Sequence, residues 1–301
     1  MLFMGFKSTK QPNYFIKISI YTALALIAFA ANSVLCRKAL GDKAIDASSF
    51  TMIRLLSGII VLTLILKIKN KRKQEKTKGN WYSSIMLFLY AITFSFAYIT
   101  LDTGTGALIL FGAVQITMIL LSIYDGNRLH ILEWVGLIIA FTGFVYLILP
   151  GVNLPSTRGF LLMTIAGIAW GIYTLNGRKS QNPLMDTTYN FIRTIPFLII
   201  LLIISISNTN YSNEGIWLAI ISGGVTSGIG YTIWYMALGG LSATQAAVVQ
   251  LLVPVIAAFG GVLFIAEKIT FRLTIASLLI LGGILIVVLT RKKVLKTLAK
   301  K

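Results

Sequence analysis

From Tyr231 to Glu267 the chain reads YTIWYMALGGLSATQAAVVQLLVPVIAAFGGVLFIAE. Gln245, Gln250 and Pro254 stand in a stretch otherwise almost wholly apolar, broken only at Gly239-Gly240. Asn32 and Gln115 are amides in two further apolar runs, and Arg54 and Arg193 are cations in two more. Such groups are costly in a membrane span unless they face protein or a water-filled cavity. The amides can therefore bind a polar ligand reversibly or bond one helix to another. Each Arg lies about six residues, roughly 9 Å, into its run. It must bond carbonyls, reach the interface or meet an anion. Asp46 and Asp186, within a couple of turns of Arg54 and Arg193, favour the structural alternative.

Bond-making chemistry has little to work with. The one histidine, His130, stands beside Arg128 and Glu133 at a span end, so neither a Ser/His pair nor a His-based zinc site can be built. No phosphate-binding G-x-x-x-x-G-K-[ST] motif occurs. No catalytic residue, metal site or cofactor is expected, and the chain does not read as an enzyme. All nine acids fall in gaps or near span ends. The ionisable relay that proton-coupled carriers keep within the membrane is therefore not expected.

These side chains must be positioned by membrane helices. The 301 residues are 56% hydrophobic and only 12% charged, with a mean hydropathy of +0.84, against about 25% charged in soluble domains. Ten runs of spanning length appear: 17–36, 48–66, 80–101, 104–124, 132–149, 159–176, 187–207, 215–238, 242–265 and 270–290. The net charge of +18 does not point to nucleic acid. Lys and Arg crowd into alternate gaps: Lys7, Lys10, Lys17, the 67–78 loop, Arg128, Arg178-Lys179 and the tail. The other gaps hold only Arg37, Lys38, Lys43, Arg158, Lys268 and Arg272. That asymmetry puts both termini in the cytoplasm, with anionic head groups as partners of the basic face.

The chain divides near Pro150–Pro155 into similar halves offset by about 140 residues. Ser49-Phe50-Thr51-Met52-Ile53-Arg54 matches Thr188-Tyr189-Asn190-Phe191-Ile192-Arg193, and Gly143 matches Gly282. Tyr98–Leu121 matches the hairpin that begins at Tyr231. Five spans per half is odd, so the second copy enters the membrane from the other side. The expected fold is an all-α integral membrane protein, ten transmembrane helices as two inverted five-helix repeats, the architecture of alternating access. The expected organisation is a cytoplasmic segment 1–16, repeats 17–150 and 157–290, and a basic tail 291–301. Gly224, Gly228 and Pro254 are candidate gating or packing positions, with Arg54 and Arg193 as structural cations.

At these residues the chain resembles the EamA group of the drug/metabolite transporter superfamily. The likeness covers about residues 17–290. It rests on the ten spans, the early Arg of each second span, the short turn between third and fourth spans, and Gln250–Ala258 running on to Ala266-Glu267-Lys268. The resemblance implies export or exchange of small polar metabolites without an ATP-binding domain, through a cavity near spans 1, 3, 4, 6, 8 and 9. The aromatics Tyr98, Trp170, Tyr173, Tyr231 and Trp234 fall where that cavity would be, and the mid-span amides Asn32, Gln115, Gln245 and Gln250 are candidates either to bind the substrate there or to bond helix to helix. Amides and hydroxyls would bond the polar ends of an amino acid while indole faces hold its apolar part. A carrier of nucleotide-derived or drug-like metabolites and a non-transporting scaffold are the alternatives. The expected location is the inner membrane, as a monomer or homodimer.

Overall fold

The computed structural model describes residues 12–69, 78–124, 126, 129–148, 155–177, 180–241 and 243–298. Five helices form the first half: α1 (Pro12–Gly41), α2 (Ala47–Lys69), α3 (Trp81–Tyr98), α4 (Thr103–Tyr124) and α5 (Ile131–Ile148). The second half opens with α6 (Thr157–Gly177), then α7 (Pro183–Ile192) and α8 (Ile195–Ser205). It continues with α9 (Asn213–Ile220), a π-helical stretch Ile221–Ile229 and α10 (Gly230–Leu238), then α11 (Ala243–Gln250), α12 (Leu252–Ile265) and α13 (Phe271–Leu298). Each apolar run named above is helical over most of its described residues. The residues 70–77, Asp125, Arg128, Arg178 and Lys179 lie outside the described residues, as do the side chains of Gln245 and of the tail from Arg291.

Among the described residues, nine helices are long and apolar enough to cross a membrane, and Ile131–Leu147 is a shorter apolar one. Three spans of the second half are interrupted, each for a local reason. Pro196 has no N–H for the carbonyl four residues back, and the seventh span divides into α7 and α8 just before it. Pro254 likewise leaves the Gln250 carbonyl without its helical donor, and the ninth span divides at Leu251. The π turns of the eighth span coincide with Gly223, Gly224 and Gly228.

The bundle is apolar outside and polar within. Leu263, Phe264, Ile204 and Leu278 are more than 70% exposed, as a lipid-facing surface requires. Asn32, Arg54, Gln115, Ser222, Thr226 and Gln250 are buried. The halves interlock: α1 packs on α10 and α12, α6 on α3 and α4, α2 on the π segment and α7, and α5 lies along α13. Glycine makes these approaches possible. A Cβ at Gly167 would meet the Leu110 carbonyl oxygen at 2.7 Å, and one at Gly136 would meet that of Gly283 at 2.6 Å.

The closest crossing is α2 against the π segment. A Cβ on Gly223 would overlap the Arg54 carbonyl oxygen and the Ser57 hydroxyl. A Cβ on Gly224 or Gly228 would come within 3.1 or 3.2 Å of the Val61 side chain, which would have to give by a few tenths of an ångström. A Cβ at Gly282 meets nothing within 4 Å. Gly223→Ala is therefore expected to destabilise the detergent-solubilised protein by about 1–3 kcal/mol. Gly282→Ala should stay within about 0.5 kcal/mol of the parent. Thermal unfolding of the two variants checks this; equal melting temperatures would contradict the packing described.

Candidate functional site

Five of the nine sequence-assigned residues, Asn32, Trp170, Tyr231, Trp234 and Gln250, line one or the other of two cavities stacked along the bundle. The first, at its centre, is lined by Phe29, Asn32, Ser33, Tyr90, Phe94, Leu110, Phe111, Trp170, Thr226 and Tyr231. Its volume is about 10 Å³, the room one water needs. Trp170 sits between Tyr90 and Tyr231, with ring centroids at 4.8 and 4.9 Å, and Tyr173 backs it at 5.4 Å. Asn32 on α1 accepts from the hydroxyls of Ser222 at 2.6 Å and Thr226 at 3.1 Å. The wider π turn brings both hydroxyls to one amide oxygen, which helps tie the first span to the eighth.

The second cavity, about 270 Å³, lies between the far ends of α6 and α10 and the start of α11. Met118, Thr174, Trp234, Tyr235, Ala247 and Gln250 are among its walls. The Phe29 ring stands between the two spaces, edge-on to Tyr231 at 5.9 Å and to Trp234 at 5.7 Å.

Not every assigned residue faces these spaces. Tyr98 is fully buried, stacks edge-on against Phe94 and donates its hydroxyl to the Thr103 carbonyl at 3.3 Å. Gln115 donates to the Ala247 carbonyl at 3.4 Å, joining α4 to α11. Both line neither cavity and bond helix to helix, the second of the two roles open to a buried amide.

Arg54 and Arg193, matched in sequence, differ in place. Arg193 behaves as an interfacial cation: it donates to the Lys78 carbonyl and lies 5.8 Å from the centre of the Trp81 ring. Arg54 is only 2% exposed. Its guanidinium packs on Phe94 and Tyr90, 4.9 and 5.3 Å from the ring centres, and Nη2 donates to the Tyr90 hydroxyl at 3.0 Å. The expected proximity to Asp46 does not become a pair. Asp46 instead caps α2, accepting from the Ser48 and Ser49 amides at 3.0 and 2.9 Å and from the Asn210 amide at 3.0 Å. Asp186 similarly accepts from the Gly79 amide at 2.8 Å and from the Ser180 hydroxyl.

A polar cluster missed by the sequence reading closes the bundle beyond the central cavity, at the end opposite the second one. Ala266 ends α12 in the left-handed conformation, φ 58°. That turn folds Glu267 back over the start of α4, where its carboxylate accepts from the Thr103 amide at 2.9 and 3.1 Å. A carboxylate there is favoured by the helix dipole. Arg37, at the end of α1, donates to Glu267 at 3.1 Å and to Asp102 at 3.4 Å. It also donates to the Tyr98 and Ile99 carbonyls. Four helices thus meet at one guanidinium. In sequence, Arg37 read as a gap residue and Glu267 as a loop end; the only signal was Ala266-Glu267-Lys268 closing the ninth span.

Among the described residues no group of three or more His, Cys, Asp or Glu could hold a metal ion. The geometry offers non-covalent recognition by ring faces, hydroxyls, amides and one buried cation.

A family model described as an EamA-like transporter family matches residues 16–149 and again 157–289. An uncharacterized protein of Pseudomonas aeruginosa is 45% identical over 272 residues, 90% of this chain and 94% of that one. An uncharacterized transporter of Archaeoglobus fulgidus is 28% identical, over 67% and 74% of the two chains. A protein of Escherichia coli described as a probable amino-acid metabolite efflux pump is 26% identical, over 67% and 75%. A solved structure with 17% identity superposes at a TM-score of 0.58, covering 89% of this chain and 99% of its own, and so shares the fold. With two matches spanning nearly its whole length, this multi-pass membrane chain belongs to the EamA-like transporter family.

Proposed function

We propose that this protein carries a small metabolite of the amino-acid class across the cytoplasmic membrane by alternating access, as a facilitator or exchanger. The observation that carries this is the order of features along the bundle. A latch of charged groups ties the helices at one end, with a groove of about 480 Å³ on its flank lined by Leu40, Asp46, Ile99 and Ile204; a collapsed aromatic and polar cavity follows, and a cavity of about 270 Å³ lies at the other end. A carrier halted with one side shut has this order. A scaffold has no use for a buried cation, two buried glutamines and an asparagine in a bilayer.

The inverted repeat is supported by how the spans pair. Exchanging the halves turns the contacts of the first span with the eighth and ninth into those of the sixth with the third and fourth. The second and seventh, fourth and ninth, and fifth and tenth spans pair with their own counterparts. The repeats then correspond to 17–150 and 157–290. The distribution of Lys and Arg makes the latch end external, with residues 1–16 and 291–301 in the cytoplasm. The second cavity, at the end of α6 and α10, then faces the cytoplasm, which suits an exporter of a small molecule. Its 270 Å³ falls just below the roughly 300–1,000 Å³ of drug-sized sites. That favours an amino acid over a nucleotide-derived or drug-like cargo, and the description of the Escherichia coli relative points the same way. The small-molecule cargo and the lipid head groups are the partners in this reading, for a monomer or homodimer.

Two measurements test it. In liposomes, uptake of labelled amino acids should proceed without a pH gradient. Gln250→Ala and Trp170→Ala should each slow it about tenfold, equivalent to ~1.4 kcal/mol. No uptake of any amino acid or nucleotide in a broad panel, in either orientation, would contradict the carrier reading, and strict dependence on a pH gradient would contradict facilitation. Separately, a double-mutant cycle of Arg37→Ala with Glu267→Gln should show a coupling of about 1–3 kcal/mol in thermal unfolding; additive effects would mean the latch does not hold the outer end.

A further inference from the structure

We infer that Arg54 is the anchor for a carboxylate on the transported molecule, engaged when the central cavity widens. The inference rests on the carrier reading and names the group by which the cargo is held. Arg54 is the one fully buried arginine among the described residues. Its Nη2 donates to the Tyr90 hydroxyl, while Nη1 is buried with no hydrogen-bond partner. No carboxylate pairs with it among the described residues; the ion pairs there are Arg37 with Asp102 and Glu267, and Lys38 with Glu214. A buried cation with one neutral acceptor is a poor structural brace, because a single hydroxyl does not offset the loss of its hydration. Arg193 shows the cheaper solution to the same sequence position, reaching a carbonyl near the surface.

The surroundings specify the ligand further. Tyr90 and Phe94, on which the guanidinium packs, are walls of the central cavity. A modest ring movement would therefore join Nη1 to that space. One positive charge, with no second cation in the cavity lining, balances a carboxylate. A phosphate dianion would need more. Arg and carboxylate also match in bidentate geometry. Opposite Tyr90 stand the faces of Trp170 and Tyr231, which can hold the body of the molecule or, by cation–π attraction, an ammonium group. The cargo is then a carboxylate with an apolar or aromatic body, and an α-amino acid is its commonest form.

The test uses the purified full-length protein in detergent and reads ligand-dependent shifts in melting temperature. The probes are L-phenylalanine and L-leucine, their amides, phenylacetate, phenethylamine and inorganic phosphate. The acids should raise the melting temperature; the amides, the amine and phosphate should not. Arg54→Gln should weaken the response to the acids about 10- to 100-fold, and Arg54→Lys should keep part of it. Without ligand, Arg54→Gln should melt no lower than the parent, since it removes an unpaired buried charge. The assignment is overturned if the amides bind as well as the acids, if phosphate alone binds, or if no acid binds. It is equally overturned if Arg54→Gln binds the acids undiminished, melts well below the parent or fails to fold, the marks of a structural brace. Liposome uptake separates the two claims. Uptake that does not distinguish acids from amides sinks the Arg54 assignment and leaves the carrier reading. Arg54-dependent binding without uptake keeps the site and sinks the carrier reading.

Discussion

Burial of polar groups where no water can reach them is the constraint on which the rest of this structure depends. In a bilayer each unsatisfied donor or acceptor costs several kcal/mol, so polar residues in the spans must find partners inside the bundle. Most do. Asn32 takes the hydroxyls of Ser222 and Thr226, Gln115 takes a carbonyl of the ninth span, and Tyr98 takes the carbonyl of Thr103. Each of these bonds crosses between elements, and two of the three join the first half to the second. Buried polarity here sets which helices touch, while the glycines at 167, 136 and 223 set how closely. Arg54 stands apart, a buried cation with one neutral partner on a wall of the central cavity.

The same constraint explains the latch. The first amides of α4 have no helical acceptor, and Glu267 supplies one from the end of α12. Its charge is then balanced by Arg37 from α1. A left-handed residue that is not glycine, Ala266, makes the reach possible, and such a conformation costs of order 1–3 kcal/mol. On the carrier reading that cost is set against contacts broken each time the outer end opens, which keeps the closed arrangement from being overly stable.

Much of the fold was legible because apolar run length reports directly on spanning helices. Each of the ten runs is helical over most of its described residues, with ends that drift by a few residues: α1 starts at Pro12 and α13 continues to Leu298. Pro254 signalled the break in the ninth span, and Pro196 could have signalled that in the seventh. The site was legible only as a set of residue types. Asn32, Trp170 and Tyr231 do share one cavity, and Trp234 and Gln250 another. Yet sequence proximity wrongly gave Asp46 to Arg54, because an acid at a helix start is equally suited to capping. Arg37 and Glu267 lie 230 residues apart, so their meeting is a property of the folded bundle and left almost no local trace.

Alternating access requires the latch end to open and expose the centre of the bundle. Cys36 is the only cysteine in the chain. It is fully buried, next in sequence to the latch residue Arg37 and among the neighbours of Arg54. No residue need be introduced to probe it. The direct measurement is the rate at which a membrane-impermeant maleimide, added from outside to right-side-out vesicles, modifies Cys36 with and without amino acids loaded inside. Modification should be slow at rest and clearly accelerated when an internal amino acid drives outward opening. A rate indifferent to every amino acid loaded, or modification only from the cytoplasmic side, would contradict this opening.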